Sequence, residues 1–194
     1  MSPPQLSSID VIASALEPVI PIAGRMSSPD GAVTLMLSDI ADADSMAEDV
    51  GAERWEGLLR DHHAIAQQLI GHHAGQVVKV QGDGFLASFA SAHAGLHTAV
   101  EMQRTFAGAA ADPPLPVRIG LHSGFVMGGG GDMMGRNVVL AARIATQAKG
   151  GEILVSDALR RYTESDPSFD FEDRGEHHFK GLVGEHAVYA VSWR

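Results

Sequence analysis

The sequence contains no cysteine among its 194 residues. Disulfide bonds, zinc–thiolate centres and thiol nucleophiles are therefore excluded. Basic residues are scarce as well, because 14 Lys+Arg stand against 24 Asp+Glu and the formal net charge is −10. A chain with this charge lacks the broad positive surface that sequence-independent nucleic-acid binding requires. To bind a polyphosphate, such an acidic protein would need a divalent cation.

Long apolar runs and a basic N-terminus are missing too. No apolar stretch reaches the roughly 18 residues that a membrane-crossing helix needs. The first basic residue is Arg25, unlike the basic start of a signal peptide. We therefore expect a cytoplasmic protein with no membrane span. Hydrophobic residues still make up 45% of the chain, which is enough for one buried core.

The first 30 residues differ in composition from the rest. Five prolines punctuate this segment, and a short helix is predicted over Ile9 to Leu16, ending before Pro18. We interpret residues 1–30 as an N-terminal extension or linker, and its regulatory or oligomeric role stays open. Residues 31–194 are interpreted as one folded domain.

Apolar periodicity predicts an α/β chain of the α+β kind. The first six elements follow the order β-α-β-β-α-β and are expected at residues 33–37, 45–73, 76–81, 85–89, 92–110 and 116–122. This order matches a ferredoxin-like core. An additional C-terminal α-β-α-β-β extension is predicted at residues 138–147, 152–156, 157–162, 169–171 and 186–191.

Two aspartates are candidates for a metal site. Asp39 closes the first predicted strand, and Asp83 lies in a Gly-Asp-Gly turn before the third. In a ferredoxin-like core the third strand lies antiparallel beside the first, so the two carboxylates should meet at one edge. Such oxygen ligands suit Mg²⁺ or Mn²⁺, and two metals can serve an in-line displacement at phosphorus. The alternative is that Asp83 merely forms the turn.

The order and spacing of four sequence blocks resemble the catalytic domain of class III nucleotidyl cyclases, in its bacterial, adenylate cyclase-like form. The blocks are Val33–Ile40, Val78–Phe85, Val117–Gly124 and Asp132–Arg143. The resemblance extends from about Val33 to Val191 and implies that residues 31–194 are a cyclase catalytic domain. It also implies the reaction, in which the ribose 3′-oxygen of a nucleoside triphosphate attacks the α-phosphorus and pyrophosphate leaves.

The resemblance implies a role for several residues. Asp39, Asp83 and the carbonyl group of Ile40 would hold two Mg²⁺ or Mn²⁺ ions. Arg143 would stabilise the charge that develops in the transition state. Arg118 would bind the triphosphate, although a surface ion pair is the alternative for that residue.

Base choice would depend on Lys79 and Asp132. A lysine donates to N1 of adenine and a carboxylate accepts from the 6-amino group, so this pair resembles adenylate cyclases and predicts ATP as substrate and cyclic AMP as product. Family members that use GTP typically carry Glu at the lysine position. The alternative is that Lys79 lies on a solvated strand face and Asp132 forms a loop.

Three departures from the family pattern affect the functional prediction. Val139 stands where an asparagine usually orients the ribose, and Asp42 and Asp44 place two extra carboxylates in the phosphate-binding loop. The stretch from Gly124 to Val139, which in the family clasps a partner subunit, is short. We therefore expect a weak head-to-tail homodimer with a shared site. A catalytically weak or inactive homologue that acts as a nucleotide-binding or regulatory module is the alternative function.

Overall fold

A computed structural model describes residues 7–15, 28–108, 111–125 and 131–194, with the backbone alone at residues 131–133. Seven strands form one sheet: β1 (Ala32–Ile40), β2 (Gln76–Gln81), β3 (Gly84–Phe89), β4 (Val117–Phe125), β5 (Ile153–Ser156), β6 (Phe171–His177) and β7 (His186–Val191). The helices are α1 (Ser8–Ser14), α2 (Ala43–Val50), α3 (Ala52–His72), α4 (Ala92–Ala107), α5 (Gly131–Gln147) and α6 (Asp157–Thr163).

The strand order confirms the ferredoxin-like core. The sheet runs β2-β3-β1-β4-β5-β7-β6, so the first four strands have the order expected for that topology. Strand β1 pairs antiparallel with both β3 and β4, while β4 and β5 are parallel. The C-terminal extension adds β5, β7 and β6 to the side of β4.

Strand β1 lies at the centre of two hydrophobic layers, and all nine of its residues are buried. Because side chains alternate along a strand, its residues divide between the two faces of the sheet. Met36 and Ile40 join the core beneath α3 and α4. Val33, Leu35 and Leu37 face the opposite layer, which α1 and α5 cover.

Two helix predictions were wrong at their boundaries. The single helix expected over residues 45–73 is two helices, α2 and α3, which meet at Gly51 with a φ of 82°. Helix α5 begins at Gly131 rather than at residue 138. Met134 and Val138 are both buried against the sheet, which accounts for the earlier start of the helix.

The strand ends also differ from the prediction. Strand β1 continues through Asp39 to Ile40, which pairs with Val117, so Asp39 lies within the strand. Strand β6 begins at Phe171 and continues to His177, because it pairs with β7 along that length. Within the described residues, the helices are too short or too polar to cross a bilayer.

Candidate active site

A cavity of about 430 Å³ opens at the C-terminal end of β1. Its lining comes from the end of β1, the β2–β3 turn, the start of β4, the first turn of α2 and the start of α1: Ser7, Ser8, Asp39, Ile40, Asp42, Ala43, Asp44, Ser45, Asp83 and Arg118. The volume falls in the range of small-molecule sites.

Asp39 and Asp83 come together at this edge of the sheet, as the topology predicts. Pairing of Ser38 with Phe85 brings the β2–β3 turn beside the end of β1. The backbone N–H of Ile40 then donates to Oδ2 of Asp83 at 2.8 Å. One carboxylate is therefore fixed by the backbone next to the other.

Asp39 forms a two-pronged ion pair with Arg118, its direct cross-strand neighbour on β4. Nε of Arg118 donates to Oδ1 at 2.8 Å and Nη2 donates to Oδ2 at 2.5 Å. Burial raises the pKa of Asp39, and the hydrogen bond and charge of Arg118 oppose that rise. The same hydrogen bond raises the pKa of Arg118, which therefore remains cationic. In this state Arg118 contacts Asp39 rather than the open part of the cavity.

The donor set of the cavity fits a hard divalent cation. Asp39 and Asp83 contribute carboxylate oxygens, and Ile40 lies between them on the cavity wall. All-oxygen coordination favours Mg²⁺ or Mn²⁺ over metals that prefer nitrogen or sulfur. Arg118 now supplies the positive charge beside the buried Asp39. A divalent cation at Asp39 would supply that charge instead.

The first turn of α2 forms another wall. The first helical hydrogen bond runs from the N–H of Met46 to the carbonyl of Asp42, so the N–H groups of Ala43, Asp44 and Ser45 have no partner within the helix. Such a helix start favours phosphate oxygens. Asp42 precedes it in the left-handed region, with a φ of 55°, which is uncommon for a residue other than glycine.

The remaining predicted residues lie outside this cavity lining. Arg143 is on α5, where its Nη1 lies 3.3 Å from Oδ1 of Asp10. Lys79 is half-buried on β2, opposite Leu86. Asp132 is in the first turn of α5 instead of a loop, and its side chain lies outside the described part of the chain. Within one chain, the predicted site residues are thus divided between those that line the cavity and those that do not.

Asn137 does not substitute for the asparagine that Val139 replaces. Its Nδ2 donates to the carbonyl of Phe125 at 3.0 Å, and its Oδ1 lies 3.2 Å from Nε2 of His122. Burial lowers the pKa of His122 to about 4. Asn137 therefore secures the end of β4 and lies outside the lining of the cavity.

Helix α1 supplies two contacts that sequence reasoning missed. Oγ of Ser8 donates to Oδ1 of Asp83 at 2.5 Å, and Asp10 pairs with Arg143. The available signal was the three-residue spacing of Ile9 and Ile12, which gives the helix an apolar side. That spacing predicts that the helix packs against an apolar surface, but it does not predict that this surface lies beside Asp83 and Arg143.

A separate histidine–carboxylate cluster lies where α3 ends. The ligand atoms of His72, His73 and Glu101 lie within 4.8 Å of one another. Nε2 of His73 and Oε2 of Glu101 are 2.7 Å apart, so a surface hydrogen bond already accounts for the arrangement.

Comparison with known proteins places this geometry in a family. Residues 26–192 match the adenylate and guanylate cyclase catalytic domain, and the chain belongs to that family. A Rhizobium meliloti protein named "Putative adenylate cyclase 3" is 33% identical over 144 residues, which are 72% of this chain. This chain spans 23% of that protein's length.

Solved structures confirm the class III cyclase fold. The adenylate/guanylate cyclase/hydrolase of Silicibacter pomeroyi is 27% identical with a TM-score of 0.66, over 82% of this chain and 95% of the other. The guanylate cyclase domain of RhGC from Catenaria anguillulae, in complex with GTP, is 18% identical with a TM-score of 0.69, over 84% and 96%. Because cyclases of both nucleotide types share the fold, the fold does not decide the base.

Proposed function

We propose that this domain, residues 31–194, converts ATP to 3′,5′-cyclic AMP and pyrophosphate at a homodimer interface. The observation that carries the proposal is the pair Asp39 and Asp83, held side by side at a cavity that Arg118 and the start of α2 also line. These are the groups that a metal–triphosphate complex requires. Membership of the cyclase family supports the reaction class.

Each part of the cavity has a role in this proposal. Asp39, Asp83 and Ile40 hold two Mg²⁺ or Mn²⁺ ions, which supply charge neutralisation and activation of the ribose 3′-hydroxyl. Arg118 would bind phosphate oxygens together with the first amides of α2. Arg143 of the second subunit stabilises charge at the reacting phosphorus as a preorganised donor.

Lys79 and Asp132 select adenine in this proposal. A lysine ammonium group donates to an acceptor such as N1, and a carboxylate accepts from an amino group. Guanine presents a donor at N1 and an acceptor at C6, so the same pair would meet two mismatched groups. The homologue in Rhizobium meliloti carries an adenylate cyclase name, which agrees with this choice.

The test is cyclic nucleotide formation from ATP and from GTP, with Mg²⁺ and with Mn²⁺, by the parent chain and by Asp83→Asn. We expect cyclic AMP in excess over cyclic GMP, and a loss of at least about a hundredfold in the variant, since the metal site loses a charged ligand. Asp49→Asn, an exposed change of equal charge on α2, is the control. Equal rates for Asp83→Asn and the parent would contradict the metal site.

A second candidate is a nucleotide-binding module with little or no turnover. Val139 in place of the ribose-orienting asparagine favours it, as do the carboxylates of Asp42 and Asp44 on the cavity wall. Saturable binding of ATP without cyclic product, across both metals and a range of protein concentration, would select this function. Cyclic AMP formation that depends on Asp83 would exclude it.

A further inference from the structure

Helix α1 lies on the apolar face that β1, β3 and α5 form together. We call this surface the α1 face; it consists of Val33, Leu35, Leu37, Leu86, Met134, Val138, Ala141, Ala142 and Ala145. Ile9 and Ile12 contact it and have no exposed surface. Without α1, this large apolar surface would face solvent, which a stable protein avoids by covering it with a partner.

The polar side chains of α1 reach both groups of the proposed site. Oγ of Ser8 donates to one oxygen of Asp83, whose other oxygen accepts from Ile40. Asp10 places its carboxylate 3.3 Å from Arg143. A carboxylate on Arg143 occupies the position of the anion that this arginine would otherwise bind, and a hydroxyl on Asp83 occupies an oxygen that a metal would use.

Helix α1 contacts residues inside and outside the cavity. Ser7 and Ser8 form part of the cavity wall, whereas Arg143, which pairs with Asp10 of α1, lies on α5 and is not part of that wall. A second copy that brings its own Arg143 to this cavity would meet α1 there, and the α1 face is the surface that this helix covers. Helix α1 and that second copy therefore require the same surface.

We infer that α1 is an intramolecular occupant of the surface on which a second copy of this chain docks, and that it holds the domain in a closed, monomeric state. Dissociation of α1 releases Asp83 and Arg143 and exposes the α1 face for the partner at the same time. The inference rests on the proposed function for the roles of those two residues. The partner is a second copy of this chain, because the proposed site takes Asp83 from one chain and Arg143 from another.

The cysteine-free sequence allows a reversible lock as the test. A Cβ atom built on Gly82 lies 4.0 Å from Cβ of Ser8, within the roughly 3.5–4.5 Å that a disulfide spans. The double variant Ser8→Cys/Gly82→Cys would tether α1 when oxidised and free it when reduced. Any strain from a side chain at Gly82, which has a φ of 57°, is common to both forms.

Two readouts are compared between the oxidised and reduced forms: self-association by sedimentation, and binding of 3′-deoxy-ATP with Mn²⁺, a probe that cannot cyclise. We expect the oxidised form to remain monomeric at concentrations where the reduced form dimerises, and to bind the probe at least about tenfold more weakly. Identical sedimentation and identical binding in the two forms would overturn the inference.

A second pair of variants needs no cross-link. Ser8→Ala/Asp10→Ala removes both polar contacts and keeps Ile9 and Ile12, whereas Ser14→Ala/Asp49→Ala makes the same chemical changes at exposed positions. At low protein concentration we expect about tenfold more dimer from the first variant, since two hydrogen bonds to charged groups are lost. No change relative to the control variant would count against α1 as the occupant.

The experiments distinguish failure of the α1 inference from failure of the proposed cyclase activity. If the oxidised form stays monomeric, the reduced form dimerises and the parent chain makes no cyclic nucleotide, the α1 inference stands and the cyclase activity is wrong. If both forms make cyclic AMP at the same rate, the activity stands and the α1 inference is wrong.

Discussion

Asp42 combines two unfavourable features at a single residue. It adopts a left-handed backbone conformation that glycine accepts more readily, and it places a carboxylate on the cavity wall close enough to Arg118 to raise the pKa of that arginine. In a site built for a polyphosphate, its negative charge repels the ligand.

We therefore expect Asp42→Gly to improve nucleotide affinity. Removal of one like charge near the triphosphate should lower KM for ATP about threefold to tenfold, with a smaller change in kcat. Steady-state kinetics at fixed free Mn²⁺ checks this. Asp49→Gly, an exposed change of equal charge on the same helix, is the control for general electrostatics. An unchanged KM would show that Asp42 faces away from the bound phosphates.

His62 is buried in the core with both ring nitrogens lacking a hydrogen-bond partner among the described residues. Its ring lies 4.8 Å from the ring of Phe106, measured between centroids. Burial lowers its pKa from 6.5 to about 3. The folded state therefore holds a neutral imidazole, whereas the unfolded chain takes up a proton as the pH falls below 6.5.

The consequence is a loss of stability in acid. Between pH 7 and pH 5.5 the contribution of His62 to the free energy of unfolding should fall by about 1 kcal/mol, and the loss continues down to the folded-state pKa. His62→Met keeps the volume and removes the titration, so it should flatten this slope in urea unfolding at several pH values. Part of the slope should remain, because burial also lowers the pKa of His122, to about 4. Gln68→Met, at an exposed position of the same helix, changes no titrating group and should leave the slope unchanged.

At the scale of elements, the approach of α5 to β4 determines where Arg143 lies. Gly120 of β4 permits this approach, because a Cβ atom there would lie 2.3 Å from the backbone N of Ala145 and 2.4 Å from its Cα. These are backbone atoms, so the clash cannot be relieved by rotating a side chain. The helix that carries Arg143 would have to move.

Gly120→Ala should therefore destabilise the domain by about 1–3 kcal/mol and reduce turnover together with stability. Thermal and urea unfolding measure the first effect. Gly57→Ala on α3 is the matched control, because a Cβ atom there meets nothing within 4 Å. That substitution should stabilise the helix by about 0.5–1 kcal/mol. A neutral effect of Gly120→Ala would mean that α5 can shift outward at little cost.

The sequence predicted helices and strands correctly where the residues that determine them are close together in the chain. The apolar runs of β2 and β7 and the short turn between β2 and β3 gave correct strands, because period and turn chemistry lie within a few residues. The prediction failed at Gly51 and at the start of α5. In both places a glycine has several possible conformations, and packing against distant residues decides which one occurs.

At the scale of the whole molecule, the proposed site needs two chains. Asp39, Asp83 and Arg118 share a cavity in one subunit, while Arg143 pairs with Asp10 of α1 and lies outside the lining of that cavity. Each subunit of a symmetric dimer would then contribute one group of residues to each of two sites. This division can be tested without any structure of the dimer.

We expect two inactive variants to complement each other. Asp83→Asn removes a proposed metal ligand, and Arg143→Ala removes the arginine that the partner subunit contributes to the site. A mixed dimer therefore has one site with both residues intact and one site with both residues changed. Random mixing in equal amounts makes half of the dimers mixed, and about a quarter of the parent activity should return. Assays of each variant alone and of the mixture check this. A mixture as inactive as its components would argue that Asp83 and Arg143 serve the same site from one chain.

The sequence by itself determined the strand order of the core and the meeting of Asp39 with Asp83. Alternation, turn residues and the right-handed connections of an α+β core leave few arrangements, and the ferredoxin-like one places the two aspartates near the same edge of the sheet. Only the tertiary structure decided the partners of the charged groups. Arg118 pairs with Asp39 from 79 positions away, Ser8 with Asp83 from 75, and Asp10 with Arg143 from 133. No periodicity encodes contacts at such separations, because they depend on which surfaces remain exposed after the sheet and its helices have packed.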